Sequence, residues 1–342
     1  NTVLLGLSEA PFEKCNRMTA FEISANNQNY KVIDGLLLNS DCTELVAVPF
    51  GKTGISQASL PSTVKSLASG VFSGIRGITE WNFKGFTSVG AYAFAGSGLT
   101  TVDLNGMTEL PEGIFSGCDK LTTVTGTESL VTIGKSAFAA CLKLNSLSLP
   151  ALKNIEANAF ASSGLTSITA PLTERVGMSA FESTKLAEIN FPHLTTLDYR
   201  AFATMPELRK VILGDVTSMG SYVFSACPKL EEATFGEGTT IVGSFAFYDG
   251  STVSNLTRVT LPDSVKEIGS HAFAATGITE INLRNVVTVG EAAFDGCNLL
   301  QRANLSSAVT IGDFAFRSTA LTSVDLSNSE TIGARAFYGV PL

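Results

Sequence analysis

The chain has 342 residues, 44% of them hydrophobic and only 16% charged, with a net charge of −8. No basic cluster appears that would track a nucleic acid, and no polybasic patch that would hold a membrane surface. No apolar run reaches the roughly 18 residues needed to cross a bilayer.

The sequence opens at Asn1 with neither Met nor a signal-peptide pattern, so a processed N-terminus is expected, with any export signal outside this sequence. Phe12 and Met18-x-x-Phe21-x-Ile23 read as a repeat entered part-way. Asp34-Gly35, between Tyr30-Lys31-Val32-Ile33 and Leu36-Leu37-Leu38, predicts a two-residue hairpin. A further strand over residues 45–48 is expected to pair back onto it. Residues 1–54 are therefore read as a partial repeat plus hairpin insert, a capping segment. Residues 55–342 are read as one continuous array of about thirteen repeats, each 21–26 residues long.

The array declares itself through phenylalanine. Phe72, Phe94, Phe115, Phe138, Phe160, Phe181, Phe202, Phe224, Phe247, Phe273, Phe294, Phe316 and Phe337 recur at that period. Ala precedes ten of the thirteen, and the residue five before is always aliphatic or Met219. A fixed period of this length predicts a stacked solenoid in which each repeat buries its apolar face against its neighbours. After most of these Phe comes apolar-x-x-apolar-x-apolar, as in Leu99-Val102-Leu104 and Leu208-Val211-Leu213, a short strand with one face buried. Pro150, Pro171, Pro192 and Pro262 mark where strands stop, because Pro cannot donate to a ladder. The Gly of Ile133-Gly134 and Ile311-Gly312 is expected to permit a tight corner. The fold class is thus a repeat solenoid of short parallel strands with irregular turns and a Phe spine, mostly β or irregular. The loop from Tyr248 to Ser254 is longer than its counterparts, and the chain stops at Leu342 without a polar cap. Either the final rung is distorted into a cap or the natural protein continues.

Leu-x-x-Val-x-Leu-Pro followed by Ile-Gly-x-x-Ala-Phe-x-x-Cys resembles the BspA-like leucine-rich repeats of bacterial and protozoan surface proteins. The resemblance covers nearly the whole chain and implies a leucine-rich-repeat-like stack. It also implies a cell-surface or secreted location and adhesion to a host protein or another cell. The motif residues are core residues, so it assigns that role to no particular side chain.

The chemistry-bearing residues are few. Cys15, Cys118, Cys141, Cys227 and Cys297 each stand three residues after a motif Phe, a shared column that reads as packing by free thiols; Cys42 lies elsewhere. A Cys118–Cys141 or a Cys15–Cys42 bond stays open. No tetrahedral ligand set occurs, so no zinc is expected. His193 and His271 sit about three rungs apart, roughly 15 Å at ~5 Å per rung, too far for one catalytic site. No nucleophile elbow, phosphate loop or dinucleotide fingerprint is present, and the chain is expected to be non-enzymatic, with no cofactor.

Two surfaces remain. The outward strand column alternates in charge through Glu188, Lys210, Glu232, Arg258, Glu280 and Arg302. Opposite charges one rung apart make stacking tolerable, and the same face could give broad polar contact. Tyr222, Phe245 and His271 occupy the column two before the motif Phe, with Tyr248 and Asp249 in the long loop beside them. There exposed aromatics would concentrate as a local contact patch. The expected partner is an extracellular protein or glycan, bound by a monomer; the alternative is a structural spacer that displays another domain.

Overall fold

The computed structural model describes Phe12, Cys15, residues 17–250 and residues 254–341. The expectations about Leu342 and about residues 251–253 of the long loop fall outside them. The chain divides into two compact units: one runs to Pro150 and takes in Ala159–Leu165, the other holds Ala151–Asn158 and Thr166 onward.

The upstream unit begins with the hairpin. Strand β1 (Tyr30–Ile33) pairs antiparallel with β2 (Leu36–Asn39), Ile33 opposite Leu36. Asp34 and Gly35 between them have φ of 52° and 73°, the left-handed pair that matches a hairpin's twist. Strand β3 (Glu44–Ala47) returns antiparallel to β2 and then pairs parallel with β4 (Ser66–Leu67), which passes the chain from hairpin to solenoid. Leu37, Val46 and Ala47 form a small core that Phe12, Phe21, Tyr30 and Val32 cover. The Phe12 ring lies 4.9 Å from Phe21. Phe12 therefore belongs to the hairpin rather than the spine, and Cys15, grouped by sequence with the packing column, is exposed.

Most rungs carry two short parallel strands, not one. In the upstream unit the expected ladder is Glu80–Asn82, Thr101–Asp103 and Thr123–Thr125, in register through Trp81, Val102 and Val124. A second ladder is built from residue pairs that end five before the motif Phe, such as Ser66–Leu67 with Ser88–Val89 and Glu109–Leu110 with Thr132–Ile133. The downstream unit repeats both, with Glu188–Phe191 through Arg258–Thr260 on one face and Arg175–Val176, Thr196–Leu197 and Ser218–Met219 on the other. At the start of the first ladder the side chain of Gln57 donates to Asn82 O at 2.7 Å and accepts from Asn82 N at 2.9 Å.

The Phe spine is present in both units. Downstream, successive rings from Phe181 to Phe337 are 5.1 to 5.4 Å apart with interplanar angles of 3° to 16°. Upstream, the stack from Phe72 to Phe160 is looser, 5.0 to 6.1 Å, because Trp81 and Phe83 wedge against Phe72 and Phe94. Each fully buried ring contributes about 2–3 kcal/mol of burial.

The glycine before the motif Phe is not a corner. A Cβ on Gly134 would sit 2.3 Å from Leu110 O, and one on Gly290 would sit 2.6 Å from Ser270 N. Neither residue has positive φ. Glycine is required because the preceding rung's backbone passes too close for a side chain. The corner lies two residues before Phe, where Tyr222, Phe245 and His271 have φ of 62°, 56° and 56°, and again two residues after it, at Ala226 and Ala275. L-residues reach this left-handed region at a cost of about 1–2 kcal/mol each. Inter-rung hydrogen bonds hold them there: Tyr222, Phe224 and Ala226 all donate their N–H to carbonyls of the following rung, at 2.9, 2.8 and 3.1 Å.

Candidate functional site

The left-handed corner decides where the surface aromatics go. A side chain two before the motif Phe cannot join the spine, and the corner turns it toward the rim. Because the corner repeats at rung spacing, rings in that column stack on each other. Tyr222 and Phe245 lie 4.5 Å apart at 5°, Phe245 and His271 4.6 Å apart at 6°. Tyr248, one residue past motif Phe247, closes over this stack edge-on, 5.6 Å from Phe245 and 6.4 Å from His271. The four sequence-selected rings are thus brought together, all half-buried.

Tyr199 joins them. Its ring is 5.8 Å from Tyr222 at 70°, and the residue is 45% exposed, the most open ring of the group. Sequence reading missed it because it stands three before Phe202, one position off the column. Asp249 follows Tyr248 and is half-buried, and its burial raises the carboxyl pKa above the usual range. In this rung Gly250 takes the positive φ of 87° that the second corner residue holds elsewhere, so the longer loop moves that corner on by one. The Nδ1 of His271 is enclosed and has no hydrogen-bond partner among the described residues. Phe314, further along the column, is covered by Arg317, whose guanidinium carbon is 4.8 Å from the ring centre and whose fork pairs with Asp295. Such a contact contributes about 0.5–1 kcal/mol at an exposed site.

The strand face is a separate surface. Glu188 opposes Lys210, Lys210 opposes Glu232 and Glu232 opposes Arg258 in direct register. Glu232 accepts a hydrogen bond from Arg258 at 3.2 Å and forms an ion pair with Lys210 at 3.8 Å. Alternating charge therefore does neutralise neighbouring rungs here. Glu280 and Arg302 are also in register but make no ion pair among the described residues.

Cys118, Cys141, Cys227 and Cys297 are buried and unbonded. The Sγ of Cys227 donates to Phe202 O at 3.2 Å, and Cys297 to Phe273 O at 3.0 Å. Burial pushes the Cys227 thiol up to about 12 and the Cys297 thiol to about 11. These thiols cap spine carbonyls and are not reactive groups. No set of His, Cys, Asp or Glu among the described residues could hold a metal, and no helix there is long and apolar enough to cross a membrane.

Two parallel ladders, a Phe spine and side chains capping its carbonyls at a period of 21 to 26 residues are the marks of one repeat type. The BspA type leucine-rich repeat region matches residues 43–165, 153–253 and 251–342, in 6 copies. The chain belongs to this family. BspA-type repeats are typically a non-enzymatic scaffold, and proteins that carry them are often surface proteins involved in binding. A leucine-rich repeat protein from Bacteroides ovatus is 22% identical, with a TM-score of 0.63, over 93% of this chain and 92% of that one. At that identity the likeness shows the BspA-type fold alone. A leucine-rich cell surface protein from Faecalibacterium prausnitzii (17% identity, 91% and 96% covered, TM-score 0.49) is similar too. So is the pneumococcal vaccine antigen PcpA (21% identity, 92% and 78% covered, TM-score 0.45). No curated protein matches this BspA-type chain.

Proposed function

We propose that this chain is a non-enzymatic, cell-surface or secreted protein that binds another macromolecule, through adhesion to a host matrix protein or a partner cell. The observation that carries the reading is the Tyr199–Tyr222–Phe245–Tyr248–His271 group, a half-exposed aromatic surface whose rings are packed on one another. Aromatic side chains with polar tips are the usual anchors of protein interfaces, and rings already stacked lose little freedom on binding. The strand face carrying Glu188, Lys210, Glu232, Arg258, Glu280 and Arg302 supplies broad, weaker contact, and the aromatic group with Asp249 supplies local specificity. Within this reading the protein acts as a monomer, and residues 1–54 cap the array that starts at residue 55.

A second reading, a structural spacer that displays another domain, is favoured by one observation. The Lys210–Glu232–Arg258 charges neutralise one another, as a face that contacts nothing would require.

An array of matrix proteins and glycans probed with this chain separates the two. Adhesion expects saturable binding; a spacer expects none. For a confirmed partner, Tyr248→Ala combined with removal of Asp249 and Gly250 should leave the fold intact and weaken binding. Binding that survives this change but fails when Lys210, Arg258 and Arg302 are changed to Glu would move the site to the strand face.

A further inference from the structure

The strand face of the downstream unit changes character between Arg258 and Glu280. Glu188–Phe191, Lys210–Leu213, Glu232–Thr234 and Arg258–Thr260 form one parallel ladder of four strands. Beyond it the strands shorten to Glu280–Ile281 and Arg302–Ala303, a separate pair. At that break lies a groove of about 590 Å³ lined by Thr260, Glu280, Asn282, Gln301, Arg302 and Asn304, all exposed. It continues to Ser323, so it crosses four successive rungs, roughly 14 Å at ~4.8 Å per rung.

The polar groups of this groove are largely unspent. Asn282 donates its amide to Asp263 Oδ1 at 3.3 Å, and Asn304 Oδ1 accepts Ser306 N–H at 3.0 Å. The Gln301 carboxamide, the Arg302 guanidinium, the Glu280 carboxylate and the Thr260 hydroxyl have no hydrogen bond among the described residues. Earlier in this unit Lys210, Glu232 and Arg258 pair with one another; here the equivalent groups face solvent.

Their chemistry narrows the ligand class. Guanidinium, carboxylate and carboxamide are planar groups that each present two adjacent hydrogen-bonding positions. Neighbouring hydroxyls on a sugar ring, each both donor and acceptor, are their complement. Glu280 and Arg302 together are neutral, so the groove offers no net attraction to an anion or a cation. No aromatic or Met side chain lines it, which removes the anchors a folded protein would need. We infer that this groove binds a neutral, polyhydroxylated chain, an oligosaccharide laid across the strands. The inference rests on the binding reading only in taking the strand face as a contact surface.

The test is ligand-observed NMR and calorimetry with cellohexaose, mannohexaose and a galactan hexasaccharide, beside a sialylated trisaccharide as charged control. At least one neutral probe should bind saturably and independently of salt, with affinity about tenfold lower in Glu280→Ala/Arg302→Ala. Both side chains are exposed and unpaired, so that variant should melt like the parent. Phe245→Ala should bind the probe normally. No saturable neutral probe, binding unchanged in the double variant, or preference for the sialylated control with salt sensitivity would each overturn the inference. A protein partner bound through the aromatic group by a chain that takes no oligosaccharide would overturn it while leaving the adhesion reading intact.

Discussion

Phe224, Phe247 and Phe273 form one stack of rings; Tyr222, Phe245 and His271 form another, two residues away in the same rungs. The first is buried, at 5.3 and 5.1 Å spacing; the second is half-exposed, at 4.5 and 4.6 Å. Identical rung geometry thus yields a core element and a surface element, and what separates them is backbone conformation. The spine residues do not have positive φ, whereas the surface ring positions sit at φ 56° to 62°. A repeat protein stacks any side chain that recurs in a column. Only the corner decides whether the stack stabilises the fold or faces a partner.

The largest test of that contrast is Phe273→Ala. The ring is fully buried between Phe247 and Phe294, so its removal should cost about 3–5 kcal/mol in urea unfolding. Phe337→Ala should cost less, since that ring is half-buried and stacks on Phe316 from one side. An unchanged midpoint for Phe273→Ala would break the spine account.

Alkaline pH probes the buried side next. The Cys227 and Cys297 thiols are raised from 9.0 to about 12 and about 11 by burial. Above pH 9.0 the unfolded chain loses these protons before the folded one does, so stability is whole below that value and falls as pH rises toward 11 and 12. Cys227→Ala/Cys297→Ala should flatten that decline. A thiol reagent should leave the four buried cysteines untouched in the native protein and titrate them when urea is added.

A finer test compares Ala with Gly at both columns. At Phe273, Gly should be worse than Ala by about 0.5–1 kcal/mol, the ordinary backbone penalty. At Phe245, where φ is 56°, Gly should be better than Ala by about 1–2 kcal/mol, because it relieves the left-handed strain. The same sign at both sites would remove the conformational distinction between the stacks.

The smallest effect belongs to the charged face. Glu232→Lys places like charges beside Lys210 and Arg258, yet the pairs are exposed, so the loss should be about 1 kcal/mol or less and should shrink in high salt. A larger loss would make the face a structural device rather than a contact surface.

Much of this was legible in the sequence, and the reason is physical. Spine rings and strand residues recur at one period, so Phe72 to Phe337, the Val102–Val124 register and the Asp34-Gly35 turn could be read directly. The second ladder could not, because a strand of two residues such as Thr132–Ile133 is too short to show alternation. The corner could not either, since Tyr222, Arg200, Ala292 and Ser136 share left-handed φ without sharing any side-chain chemistry. Gly134 and Gly312 drew the corner assignment to themselves, although what they supply is clearance for the neighbouring backbone. Of the candidate site, the aromatic column was visible and Tyr199 was not, because its partnership with Tyr222 depends on the direction of a corner.

The Gln57 carboxamide has a wider consequence. By both giving and accepting a hydrogen bond at Asn82, one side chain imitates the backbone of a missing strand. A parallel ladder whose first strand were open would recruit the edge of another molecule and grow into a filament. Here the Asn82 N–H and C=O that such an edge would use are already taken by one amide.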